Sequence, residues 1–326
     1  MQKAKSAFRK IFSQLPAISL MIYPLIVFLL GHLLFDQFGS LFAVHGLRAS
    51  ESLLSGEDHH EAISSGHVWA ATAHAFILVQ LFTMLVLFMW IRSKTKGFQT
   101  TLYFFAVGIL ITSGLAHLHY VIINSRPLSA IFQITFQSLQ LNDHLEARPI
   151  LPSIFCTLVI INMLSIVVIA ALLPFLPLIV REPHGGWREE NLLNRVQDLR
   201  LWTVLASVFL IAGTLHMYAW MTWATELLNK TALEAVVGSV CFYWGSVFTV
   251  TLAAAYLPVL LTLKNRAEIV MEAQHVQLID RDEWLKRRGL SFRVVDQVPQ
   301  VIGILAPLAA APAGQFLTSL STLVPS

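Results

Sequence analysis

The chain has 326 residues, of which 56% are hydrophobic and only 13% charged, with a mean hydropathy of +0.67 and a formal net charge of +3. Soluble domains carry about 25% charged residues, so composition excludes an ordinary soluble enzyme and leaves no room for a separate soluble domain. Cys156 and Cys241 fall in apolar runs and form no CxxC or disulfide framework, and no P-loop, Rossmann glycine pattern or hydrolase motif is present.

A short basic lead, residues 1–14, holds Lys3, Lys5, Arg9 and Lys10. Leu15 to Phe35 follows as the first span, with an apolar run longer than a signal peptide's h-region, and is read as an uncleaved anchor. The loop after it contains Phe38 to Leu54, whose apolar spacing suits an amphipathic helix lying on the membrane. It ends in Glu57, Asp58, His59, His60 and Glu61. Such adjacent carboxylates and imidazoles suit a divalent cation, and a solvated polar loop is the plainer reading.

His67 to Ile91 forms the second span, and Arg92 to Thr100 a basic turn. Leu102 to Ile123 forms the third, apolar until Ser113, Gly114, His117, His119 and Tyr120 near its end. About 20 apolar residues suffice to cross a bilayer as a helix. The segment 131–141 fits period 2 and period 3.6 equally and stays unassigned. Ile150 to Val180 is the fourth span, with a break expected at Pro174 and Pro177. Leu201 to Thr225 is the fifth and Glu234 to Leu263 contains the sixth.

Lys264 to Arg288 reads as one charged helix leaving the membrane, stopped by Gly289. The tail from Val301 to Val324 is long enough to span, but Gly303, Pro307, Pro312 and Gly314 make it a poor straight helix. It is expected to be a re-entrant or interfacial element under the bundle. The fold class is therefore an all-α polytopic membrane bundle with six transmembrane helices, organised as 1–14, 15–263 and 264–326.

Charge sets the expected sidedness. With the amino terminus inside, 18 of the 22 Lys and Arg lie on the inner side, and only Arg48, Arg126, Arg148 and Lys230 lie outside. This places both termini in the cytoplasm and the chain in the cell inner (plasma) membrane. It also explains the basic balance without nucleic acid. The spans hold no Asp, Glu, Lys or Arg except Glu234 at a boundary, which disfavours proton pumps and voltage sensors.

On this topology ten of the twelve histidines lie outside or in the outer half of a span: His32, His45, His59, His60, His67, His74, His117, His119, His144 and His216. The plainest reading is hydrogen bonding across helices near the interface. The second is a site for haem or a divalent metal, because imidazole is a common ligand of transition metals and haem iron. His74, His117 and His216 are the candidate cofactor ligands, and His59, His60, His67 and His119 the candidate metal ligands. The third is an outer pH sensor or pore lining, since histidine changes charge near physiological pH.

Helical spacing puts His67 and His74 on one face and turns His117 and His119 apart. Small residues at Gly108, Gly114, Gly238 and Gly245 allow close helix approach, for internal packing or a homo-oligomer. Trp284, Lys286, Arg287 and Arg288 are the candidate contacts of a cytoplasmic partner, through 264–300, or of anionic lipid. The expected function is a non-enzymatic membrane protein, either a channel or pore-type assembly or a membrane sensor, with an outer vestibule of histidines and acids. The alternatives are a redox subunit binding haem or metal, and a scaffold subunit of a larger complex.

Overall fold

The computed structural model describes residues 15–51, 59–95, 97–123, 150–183, 186–226, 230–277, 280–290, 292 and 294–321. Among them there is no strand. The helices are α1 (Leu15–Glu51), α2 (His59–Lys94), α3 (Phe98–Ile123), α4 (Ile150–Leu172), α5 (Phe175–Val180), α6 (Glu189–Glu226), α7 (Lys230–Ala273), α8 (Arg281–Arg287) and α9 (Val298–Ser321). A 3-10 turn, Val294–Gln297, precedes α9. Six of these helices, α1 to α4, α6 and α7, are long and apolar enough to cross a bilayer. The basic lead 1–14, Glu57, Asp58, His144 and His184 lie outside the described residues.

Helix α6 is the centre. It packs against α2, α7 and α9, while α7 also packs on α1, α2 on α4, and α4 on α3. The bundle has two chemically distinct ends. One carries His32, His117 and His216, and the other carries Lys94, Arg195 and Arg266. Along the bundle sides, apolar side chains such as Leu33, Leu78, Phe82, Phe105 and Val250 are exposed, the arrangement that a hydrocarbon surrounding favours.

The break expected at Pro174 is present: α4 ends at Leu172, and Pro174 is the N-cap of α5. A broken helix leaves carbonyls without backbone donors. Two side chains supply the missing donors. The Tyr103 hydroxyl donates to the Ala171 carbonyl at 2.7 Å, and the Trp202 indole donates to the Leu172 carbonyl at 2.9 Å. α5 itself is buried, with Phe175, Leu176 and Ile179 against α1, α6 and α7. Farther along α4, fully buried Gln80 of α2 donates to the Ile161 carbonyl at 3.2 Å and to Ser165 Oγ at 2.7 Å.

Three elements differ from expectation. The first span and the segment 38–51 are one continuous helix, α1, rather than a span followed by a separate surface helix. The charged helix expected over Lys264 to Arg288 is broken after Ala273, where His275 takes φ +57°. Its second half, α8, folds back, buries Trp284 and joins Arg288 to Glu189 at the start of α6 with a 2.5 Å ion pair. Gly289, at φ +66°, ends it as expected.

The third difference is the tail. Residues 298–321 form one helix of 24 residues, with Pro307 and Pro312 inside it. It lies lengthwise on α6 and α7. The Tyr256 hydroxyl bonds Gln297 Oε1 at 2.7 Å, Gly303 meets Ser207, and Gly245 meets the Pro307 carbonyl. As α9 advances from Gln297 to Pro307, α7 retreats from Tyr256 to Gly245, so the two are antiparallel. At 1.5 Å per residue, α9 is about 36 Å long against a hydrocarbon core of about 30 Å. Two prolines cost helix stability in water, and the close packing of α9 on α6 and α7 offsets that cost.

Candidate functional site

The histidine end is assembled by close helix approach. An added Cβ at Gly31 of α1 would lie 2.7 Å from Val247 Cγ1 of α7. The same contact lets the Tyr243 hydroxyl donate to the Gly31 carbonyl at 2.6 Å. α1 is thereby fixed against α7, and the next residue, His32, is seated beside Trp244 at a ring separation of 6.3 Å. Phe35 packs on the same indole at 5.4 Å.

His32 is 4% exposed. One turn along α1, Asp36 places a carboxylate oxygen 3.9 Å from His32 Nε2. From α3, His117 meets the His32 ring edge-on, with centroids 4.6 Å apart and planes at 76°. Asp36, His32 and His117 thus form a contiguous ionisable row across two helices. Tyr243 borders it from α7. The chain alone puts Asp36 in the loop after the first span, so neither its place one helical turn from His32 nor the partner on α3 was read from the sequence.

His216 occupies a separate pocket of aromatic rings between α2 and α6. Trp69 stands 6.3 Å and Phe76 5.7 Å from it, centroid to centroid, and Trp69 stacks on Trp223 at 5.1 Å. Two glycines make room for these rings: Gly213 lies against Phe76 and Gly66 against Trp223. His216 is 7% exposed, and its Nδ1 has no hydrogen-bond partner among the described residues.

The other candidate ligands are placed differently. His74 is exposed, and its Nδ1 lies 2.7 Å from the Ala70 carbonyl of its own helix. His67, His117 and His119 are exposed. His59 and His60 stand on the first turn of α2, with side chains outside the described residues. His74, His117 and His216 therefore have different surroundings: His117 meets His32, His216 meets aromatic rings, and His74 bonds its own backbone. Among the described residues no three His, Cys, Asp or Glu side chains gather as metal ligands.

At the basic end, Asp198 of α6 is buried at 6% exposure, with three charged or polar groups around it. It accepts the Trp90 indole N–H at 2.6 Å, and faces Lys94 and Arg195 at 3.7 Å each. Trp90 in turn lies on Phe175 of α5, centroids 3.8 Å apart. In the chain Asp198 looks like one more charge in a polar loop. Of the four candidate partner contacts, Trp284 is buried, Arg288 is half-buried over the Trp284 ring at 4.3 Å, and Lys286 and Arg287 are exposed. Compared with known protein families, with curated proteins and with solved structures, the chain matches none of them.

Proposed function

We propose that this is a non-enzymatic membrane sensor whose contact between α1 and α3 responds to pH on the side that the histidines face. The observation that carries the reading is the 4.6 Å contact of His32 with His117. Histidine changes charge between about pH 5 and 8. Two neutral rings pack favourably edge to face, whereas two imidazolium ions at that distance repel, and more strongly where the dielectric is low. Asp36, 3.9 Å from His32 Nε2, can offset one imidazolium, and a second charged ring at His117 has no carboxylate of its own in this contact. Helix α3 is otherwise held on α4, so loss of this contact frees one side of it.

A sensor is favoured over an open pore by α5, whose buried Phe175, Leu176 and Ile179 fill the space among α1, α6 and α7 at the basic end. A bound haem or metal is the second reading, supported by the unpartnered Nδ1 of His216. An absorption spectrum of purified protein, oxidised and then reduced, tests it through a Soret band that shifts. The basic end would face the cytoplasm of a cell with an inner (plasma) membrane, where 264–300 receives a protein partner. α9 would then act as a seventh span and carry its last turn to the outer side, unlike the cytoplasmic carboxy terminus that six spans imply. A reporter fused behind Ser326 is expected to read outside; a cytoplasmic reading would return α9 to a buried, non-spanning role.

The pH response is tested by spin labels at Leu34 and Ala116 in a Cys156→Ser background. The expected result is a label separation constant from about pH 8 to 7 that lengthens or broadens between about pH 7 and 5. The sign follows from the contact: its stabilisation is present when both rings are neutral and is lost as pH falls. His117→Gln should abolish the response. An unchanged separation across this range, or the same response in His117→Gln, overturns the reading.

A further inference from the structure

A cleft of about 750 Å³ opens at the basic end, apart from the histidines. Its walls are Trp187 and Arg188 just before α6, Leu193 in its first turns, Val270 from the end of α7, Arg287 of α8 and its C-cap Arg288. The fold-back of α8 creates it, because the 2.5 Å pair between Arg288 and Glu189 closes one side. Arg266 stands 5.7 Å over the Trp187 ring. The Trp187 indole nitrogen is buried and has no hydrogen-bond partner among the described residues.

The charges are not balanced within the cleft. Arg288 is paired with Glu189, and Arg287 with Glu283 at 2.5 Å. Among the described residues Arg188 and Arg266 form no ion pair. Glu190 stands at the rim. The site therefore offers guanidinium forks and an indole N–H above an apolar floor of Leu193 and Val270. Guanidinium geometry matches phosphate oxygens two at a time. The neighbouring Ile269 is 50% exposed, so apolar surface continues beside the cleft. The cleft also follows directly on the apolar length of α7, where lipid headgroups meet helix ends.

We propose that this cleft binds the phosphate-bearing headgroup of an anionic phospholipid. Arginines hold the phosphate, the Trp187 indole donates to a headgroup oxygen, and the acyl chains leave along the apolar surface. A soluble phosphate ester would satisfy the arginines but leave the apolar floor uncovered. A zwitterionic headgroup would bring a cation toward the unpaired arginines.

The test uses the full chain in detergent and native mass spectrometry with three probes: phosphatidylglycerol, phosphatidylcholine with the same acyl chains, and glycerol 3-phosphate. Phosphatidylglycerol is expected to bind at least about tenfold tighter than the other two, a difference two unpaired arginines supply. The variants Arg188→Gln and Arg266→Gln should each weaken it by about fivefold. Glu190→Gln should strengthen it, a gain that misfolding cannot mimic. Equal binding of phosphatidylcholine, equal binding of glycerol 3-phosphate, or phosphatidylglycerol affinity unmoved by Glu190→Gln would each overturn the proposal.

Discussion

Asp198→Ala is expected to destabilise the protein by about 2–4 kcal/mol, the range for breaking a buried, hydrogen-bonded charge cluster. The carboxylate joins two helices, α2 and α6. It accepts from Trp90 of α2 at 2.6 Å, and it is the counter-charge of Arg195 on its own helix and of Lys94 on α2. Its loss leaves the Trp90 N–H unpaired in a buried site and two cations facing one another. Lys94 is partly exposed, with 38% of its side chain accessible, so water screens its share. Most of the cost therefore falls on Trp90 and Arg195. Asp198→Asn retains an acceptor for Trp90 and is expected to cost less, about 1–2 kcal/mol, because it removes charge and not the hydrogen bond. The check is the thermal unfolding midpoint in detergent. A midpoint for Asp198→Ala equal to that of the parent chain would show that the cluster is only tolerated.

Gly245→Leu should separate α9 from α7. An added Cβ at Gly245 would lie 2.6 Å from the Pro307 carbonyl oxygen and 3.2 Å from Leu308 Cα. Both are backbone atoms of a packed helix, and neither can swing aside as a side chain would. Even Gly245→Ala must push the helices apart, at a cost of about 1–3 kcal/mol typical of overpacking, and the leucine adds bulk to the same gap. Gly108 of α3 is the contrast, since nothing lies within 4 Å of its added Cβ. Gly108→Ala is expected to be neutral or stabilising by up to about 1 kcal/mol through helix propensity. Limited proteolysis reads the difference: the Gly245 variants should expose cleavage sites within 298–321 and the Gly108 variant should not. Equal protection in Gly245→Leu would mean that α9 is not held by this crossing.

These two glycines are equivalent in the chain, each a small residue in an apolar run. The difference between them arises only when α9 is laid on α7. The same holds for the histidines. Their gathering toward one end was legible from the sidedness of Lys and Arg, because charge and hydropathy are local properties. Which ring meets which was not legible, because it depends on how each helix is rotated and how far it is shifted along its neighbour. His32 stood in the belt without a role until the Gly31 approach to Val247 and the edge contact with His117 gave it one. His74, in the belt by position, is turned outward and bonded to Ala70.

The chain by itself determined the all-helical class, the six long apolar helices, the interruption at Pro174 and the stop at Gly289. Each follows from a property of a short stretch: enough apolar residues to satisfy a bilayer, a ring with no N–H, a residue free to take positive φ. Only the tertiary structure decided the course of α9, the fold-back of α8 and the burial of Asp198. Local propensity argued against a straight helix through Pro307 and Pro312, and for an uninterrupted one from Lys264 to Arg288. Contacts distant in sequence outweighed both: Gly245 and Gly303 let α9 seat against two helices, and Trp284 with Arg288 reached back to the first turn of α6. Packing of that kind is a property of pairs of surfaces, and neither surface alone encodes it.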